Sequence, residues 1–413
     1  VRLLALPLPN AHRSVVAAQL SIGSRFETAH ENGISHFLEH MLYRGTAAHP
    51  SAHELALAFE RKGGSLVATT SSDTGTLEAV APPESMPEII PLFSSVLSAP
   101  ALTGIDTERG IVREEILESL DDDGTSVGSE DLIRSLLFPG HPLGQPISGT
   151  LRQLSTFDLD ALQTHHQRFY CGHNVAVALA GPFDAAWALD ALSEQLRGLS
   201  SGQRPETTPP GDLCGPHVQR VLHRASQTEV TLAFRAPGSR SDEEPSRDLL
   251  ARILDDGMAT RLYHHLCDER GLCYDVSGNY ESYADSGLLE LFAETGHERV
   301  VSVVEQLFAI VTDLKQRGPG EDELETAKRR HRWQLEAMLD SPSQVAEYFL
   351  AEELAGTCRH PLDRARELQR VTVDEVVATA RRWLTPDELC LLLLGFPKRG
   401  AVARVERLVA EFR

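Results

Sequence analysis

Apolar positions along this chain fall into two patterns, short runs that favour strands and stripes at helical spacing. Residues 15–22, Val-Val-Ala-Ala-Gln-Leu-Ser-Ile, read as a strand closed by Gly23-Ser24-Arg25. A helix follows, with Phe37, Leu38, Met41 and Leu42 as its packing side, ending near Gly45. Ser51 can cap the next helix, through about Lys62, and Gly63-Gly64 ends it. Strands are expected at 66–71 and 75–81, joined at Ser72-Asp73-Thr74. Pro82-Pro83 then starts a helix with Ile89, Ile90, Phe93, Val96 and Leu97 on its apolar side. A long helix is expected over 106–120, broken by Asp121-Asp122-Asp123-Gly124, and a further helix carries Leu132, Ile133, Leu136 and Leu137. Residues 160–170 read as helix and 175–180 as a buried strand.

Residues 198–217 are rich in Gly, Ser, Thr and Pro, the composition of a linker. The expected division is therefore 1–200, a linker at 201–217, and 218–413. After the linker the pattern restarts: Val230-Thr231-Leu232-Ala233-Phe234 precedes Gly238-Ser239-Arg240, an echo of Gly23-Ser24-Arg25 at an offset of 215. Leu154, Asp160, Arg168, Phe169 and Gly181 recur as Leu368, Asp374, Arg382, Trp383 and Gly395, all at an offset of 214. A constant offset without a gap implies an internal duplication, hence two similar α+β halves.

Composition narrows the class. A chain of 413 residues is too long for one ordinary core, and 41% hydrophobic with 24% charged residues is globular usage. The net charge of −21 disfavours nucleic acid and anionic lipid as partners. No apolar run reaches membrane-spanning length, and the first residues are too short and proline-broken for a signal peptide. Six cysteines without a Cys-x-x-Cys pair point to a reducing, cytoplasmic setting.

The chemistry concentrates at His36-Phe37-Leu38-Glu39-His40. On a helix His36 and His40 stand one turn apart on one face, where two imidazoles can close on a single Zn²⁺. Glu39 lies near that face, placed to reach a water rather than the metal. The order is that of an inverted zinc signature. A third ligand is needed, and the helix over 106–120 offers Glu108, Glu114, Glu115 and Glu118. Glu108 and Glu115 are two turns apart and share a face; Glu114 points about 100° away from Glu115. The plainer reading of these acids is the wet face of a helix. The second half has no such motif: its adjacent His264 and His265 would diverge by about 100° on an α-helix and read as a surface feature.

With this motif the chain resembles the M16 zinc metallopeptidases, the family of pitrilysin, insulin-degrading enzyme and the mitochondrial processing peptidase. The resemblance also rests on Gly45-Thr46, on Gly63-Gly64 before Thr70-Ser71 and on Val112-Arg113-Glu114-Glu115-Ile116. Further along it includes His141-Pro142-Leu143-Gly144, Pro146-Ile147, Gly149 and Arg270-Gly271-Leu272-Cys273-Tyr274. It implies two homologous α/β-sandwich halves of the LuxS/MPP-like metallohydrolase fold, closing as a clamshell around a chamber that admits small or unfolded peptides. It implies one zinc per chain on His36, His40 and Glu115, Glu39 as general base, Glu108 as the acid behind the ligands, and Glu114 as the fallback ligand. A homodimer, or a heterodimer with a homologous M16 subunit, is expected. A non-catalytic or weakly catalytic scaffold subunit is the alternative.

Two positions depart from the family. The substrate-binding edge strand, expected at Val67 and Ala68, has Val67 where family members commonly place Asn. The family's Arg, seven residues before the substrate-binding Tyr274, is here Cys267; Arg270 or Arg261 is expected to take its place, or a partner subunit to supply the pair.

Overall fold

The computed structural model describes residues 1–241 and 243–413. Among the described residues ten strands form two five-stranded sheets. The first contains β1 (Arg2–Pro7), β2 (Ser14–Leu20), β3 (Ser65–Thr70), β4 (Gly75–Ala81) and β5 (Val175–Gly181), in the order β1-β5-β2-β4-β3. The second contains β6 (His217–Val221), β7 (Thr228–Ala236), β8 (Cys273–Ser282), β9 (Gly287–Thr295) and β10 (Leu389–Leu394), in the order β6-β10-β7-β9-β8. Replacing each strand of the first by its counterpart gives the second. In both, the N-terminal strand pairs parallel with the last one, and all other pairs are antiparallel. The duplication read from the constant offset is a duplication of topology: helix Leu159–Phe169 recurs as Val373–Trp383, and β5 as β10.

The segment 2–7, in which no strand was expected, forms β1, completing the open edge of β5 with Leu3 opposite Val177 and Ala5 opposite Leu179. β2 and β5 are buried along their whole length, so both faces of the sheet centre must be covered. One face is small: Ala17, Ala176, Ala178 and Ala180 pack with Val15 against Ala346, Leu350 and Leu354 of the helix Pro342–Ala355. Alanines there let the helix backbone approach the sheet closely.

That helix departs from the expected division. The first compact unit comprises 1–118, 145–207 and 336–359; the second comprises 119–144, 208–335 and 360–413. Contiguous halves at 1–200 and 218–413 therefore do not describe the packing. The helices relevant to this are α1 (Ile34–Leu42), α2 (Ala52–Glu60), α3 (Met86–Ser98), α4 (Ile105–Glu118) and α5 (Ser129–Leu137). Within the second unit α5 covers the sheet, with Ile133 and Leu137 in one core with Ala233, Cys390, Leu392 and Leu394. The linker composition at 198–217 marks a covalent connection; burial of apolar faces sets the units.

In the second unit the helix Glu244–Leu254 follows β7 as α1 follows β2, without a His pair. It carries Asp248 and Arg252 one turn apart. Arg252 Nε donates to His331 Nδ1, and Asp248 accepts from Arg364 at 2.5 Å. No helix among the described residues is long and apolar enough to cross a membrane.

Candidate metal centre

Three anchors fix α1 before any functional side chain is considered. Its apolar side (Ile34, Phe37, Leu38, Met41, Leu42) is buried in the first unit's core. Its N-terminus is held by Glu27, whose carboxylate accepts the N–H of Gly33 and of Ser35, each at 2.8 Å, and the Asn32 side-chain amide at 3.2 Å. A helix starts with unpaired N–H groups, and a buried acid satisfying two of them holds the first turn in place. Burial pushes the Glu27 carboxyl pKa up, and these hydrogen bonds pull it part of the way back. Gly33 has φ 95°, and a Cβ there would meet the Ser148 carbonyl oxygen at 2.6 Å, so glycine is required at this entry. The third anchor is buried His165, whose Nε2 lies 2.9 Å from Ser35 Oγ; burial drives its pKa down to about 3, so the ring is neutral.

From this helix His36 and His40 project together, ring centroids 4.7 Å apart at 68°. Helix α4 presents Glu115 to both: Oε1 lies 3.2 Å from His36 Nε2 and Oε2 3.3 Å from His40 Nε2. The three donor atoms lie within 4.8 Å of one another. Glu108, one face of α4 and two turns earlier, accepts from His40 Nδ1 at 2.9 Å, and Arg44 Nη1 lies 3.4 Å from its other oxygen. With its Nδ1 proton held by Glu108, the His40 ring deprotonates at Nε2, the nitrogen turned to Glu115. His36 Nδ1 is buried without a protein hydrogen-bond partner.

The electrostatics match the geometry. Hydrogen bonds and charge from His36 and His40 hold the Glu115 carboxyl far below the usual carboxylate range. Burial alone would lower the His40 pKa, but hydrogen bonds to Glu115 and Glu108, with the charges of Glu115 and Glu39, carry it up to about 9. The pocket stabilises positive charge between two imidazoles and a carboxylate. Two nitrogens and one oxygen converging from partly buried side chains form a donor set that fits Zn²⁺, with Glu108 as the carboxylate behind a histidine ligand.

Glu39 is partly buried and stands outside these contacts; its charge contributes to the raised pKa values of Tyr43 and Tyr170, after burial in each case. Glu114 is turned away, 2.8 Å from Arg113 Nη1, and does not join the cluster. Of the four candidate acids, the tertiary structure therefore gathers Glu115 and Glu108. Sequence reasoning missed Glu27, Tyr43, Arg44, Ser35 and His165. Nothing in spacing links Glu27 or His165 to α1.

β3 is an edge strand, as expected, with Val67 about half exposed at 51%. The backbone N–H of Ala68, however, donates to the Tyr43 hydroxyl at the C-terminus of α1. In the second unit Tyr274 is 94% exposed at the start of the edge strand β8. Neither arginine expected to replace the missing one is at liberty. Arg261 is clamped by Glu323 at 2.7 Å and Asp313 at 2.9 Å, and Arg270 is engaged by Glu269 at 2.6 Å and the His265 carbonyl at 3.2 Å. Cys267 Sγ instead sits 3.6 Å from Cys273 Sγ.

Residues 3–151 match the family model described as insulinase (peptidase family M16), and residues 156–330 match the one described as the peptidase M16 inactive domain. The chain is 30% identical to an uncharacterized zinc protease of Mycobacterium tuberculosis over 92% of its own length and 87% of the relative's. It is 27% identical to the uncharacterized zinc protease YmxG of Bacillus subtilis, over 95% and 96%. Its fold superimposes on a protease from Helicobacter pylori with TM-score 0.88 at 19% identity, covering 95% of this chain and 96% of the other.

Proposed function

We propose, for a chain that belongs to the M16 (insulinase) family of peptidases, that it is a zinc-dependent endopeptidase acting on small or unfolded peptides. The observation that carries this reading is the approach of His36 Nε2 and His40 Nε2 to the two oxygens of Glu115, at 3.2 and 3.3 Å. Zinc held there supplies a Lewis acid that polarises a peptide carbonyl and makes water acidic near neutral pH. Glu39, adjacent in sequence to a ligand yet outside the ligand set, takes the proton from the attacking water and delivers it to the departing amine. Glu108 holds the Nδ1 proton of His40 and so keeps Nε2 available. The edge of β3 offers backbone groups to an extended peptide. Tyr43 must yield the Ala68 amide before that donor is available.

Hydrolysis of a mixed peptide library by the purified chain, with chelator and after zinc is restored, tests the proposal. Cleavage that stops on chelation and returns with zinc supports it. A chain that holds zinc and cleaves nothing overturns it.

A second reading, a weak peptidase or scaffold subunit completed by a homologous partner, is favoured by Cys267 together with the engaged Arg261 and Arg270. A thiol offers no charged, forked donor to a substrate carbonyl. Activity that rises when a homologous subunit carrying the Arg-Tyr pair is added supports this reading.

A further inference from the structure

We infer a second, weaker site for a divalent transition-metal ion in the second unit, formed by His264, His265 and Glu269 with Asp268 behind them. Adjacent histidines on an α-helix diverge, and these were expected to be a surface feature. The segment Tyr263–Asp268 is instead a π-helix, a widened turn common at functional positions. The Glu269 N–H donates to the His264 carbonyl at 2.9 Å, closing the five-residue step that brings the Glu269 side chain back over the histidines. Both rings then face one carboxylate: Glu269 Oε1 lies 3.5 Å from His264 Nε2 and Oε2 lies 2.8 Å from His265 Nδ1. The ring centroids are 5.1 Å apart, and the three donors lie within 4.8 Å of one another, as at the candidate zinc centre.

The likeness extends one step outward. His264 Nδ1 lies 3.3 Å from Asp268 Oδ2 while Nε2 faces Glu269. His40 is arranged the same way, between Glu108 on Nδ1 and Glu115 on Nε2. In each case one carboxylate fixes the ring while the other nitrogen meets a ligating oxygen. Two imidazoles and one carboxylate select Zn²⁺, Co²⁺, Ni²⁺ or Cu²⁺ over Ca²⁺ and Mg²⁺, which need a shell of oxygens.

Two features make this the weaker site. Its two histidines are 46% and 39% exposed, against 11% and 23% for His36 and His40, so water competes for the ion and completes its coordination. Arg270 Nη1 also lies 2.6 Å from Glu269 Oε2, a fixed cation that a metal must displace or tolerate. The site is independent of the proposed peptidase activity.

Titration of the full-length metal-free chain with Co²⁺, followed by visible absorption and equilibrium dialysis, tests it. The wild type should take two equivalents, the second lost first to a mild chelator. H265A and E269A should each remove the weak equivalent and keep the tight one; H36A/H40A should do the reverse. R270A should tighten the weak site about fivefold, the scale of one screened like-charge contact. Saturation of the wild type at one equivalent overturns the inference. So does a weak equivalent that survives in both H265A and E269A, or one that R270A leaves unchanged or loosens.

Discussion

The backbone N–H of Ser35 donates to the carboxylate of Glu27 at 2.8 Å, so an acid outside α1 fixes the first turn of the helix that carries both candidate histidine ligands. Because Glu27 also accepts from Gly33, Glu27→Ala strands two buried donors. We expect a loss of roughly 2–3 kcal/mol in unfolding free energy, together with weaker zinc binding as the His36–His40 pair loses its footing. Urea unfolding of the metal-free chain and chelator competition measure the two separately. Unchanged stability would show that the cap is dispensable.

His36→Ala and His40→Ala should abolish zinc binding, whereas Glu39→Gln should keep the metal and lower turnover roughly 100- to 10,000-fold, because an amide cannot take the proton. Metal analysis of each purified variant, paired with peptide hydrolysis, separates binding from chemistry. Near-normal hydrolysis by Glu39→Gln would remove Glu39 from the role of base.

Glu108 touches His40 Nδ1 and not the centre of the donor triad. Glu108→Gln should therefore leave zinc bound but cost about 10- to 100-fold in affinity, read by competition with a chromogenic chelator. Complete loss of zinc would make Glu108 a ligand and contradict the assignment.

His165 makes the metal-free chain sensitive to acid. Its folded pKa, lowered to about 3 from 6.5 by burial, means that the unfolded chain binds the proton first as pH falls. The neutral ring's contribution is complete above pH 6.5 and is lost progressively towards pH 3, at up to about 1.4 kcal/mol per pH unit for this one proton. His165→Gln should flatten that part of the stability profile between pH 6.5 and the lowest pH at which the chain stays folded. Parallel profiles for the two proteins would refute the assignment.

Taken alone, the sequence determined what depends on near neighbours and on repetition. The spacing of His36 and His40 places both on one helix face, since backbone geometry repeats every 3.6 residues whatever the rest of the chain does. The 214-residue offset disclosed two copies of one topology, and the two sheets follow the same strand order. Spacing also grouped Glu108 with Glu115, but Glu115 became the ligand candidate only through resemblance.

The tertiary structure decided which of these groups meet. Packing of α4 beside α1 turns Glu115 to the histidines and sends Glu114 to Arg113. Glu27 and His165 reach α1 through contacts that no local period encodes. The unit boundaries belong to the same class: α5 and the helix Pro342–Ala355 lie where they bury their apolar faces, not where the chain order of the halves would leave them. Glu269 reaches His264, five residues back, because a hydrogen bond closes a π-turn in place of an α-turn, a choice that residue spacing cannot register. Helical period is fixed by bonds four residues apart, whereas ligand choice, unit boundaries and anchoring depend on the free energy of burying surfaces distant in sequence.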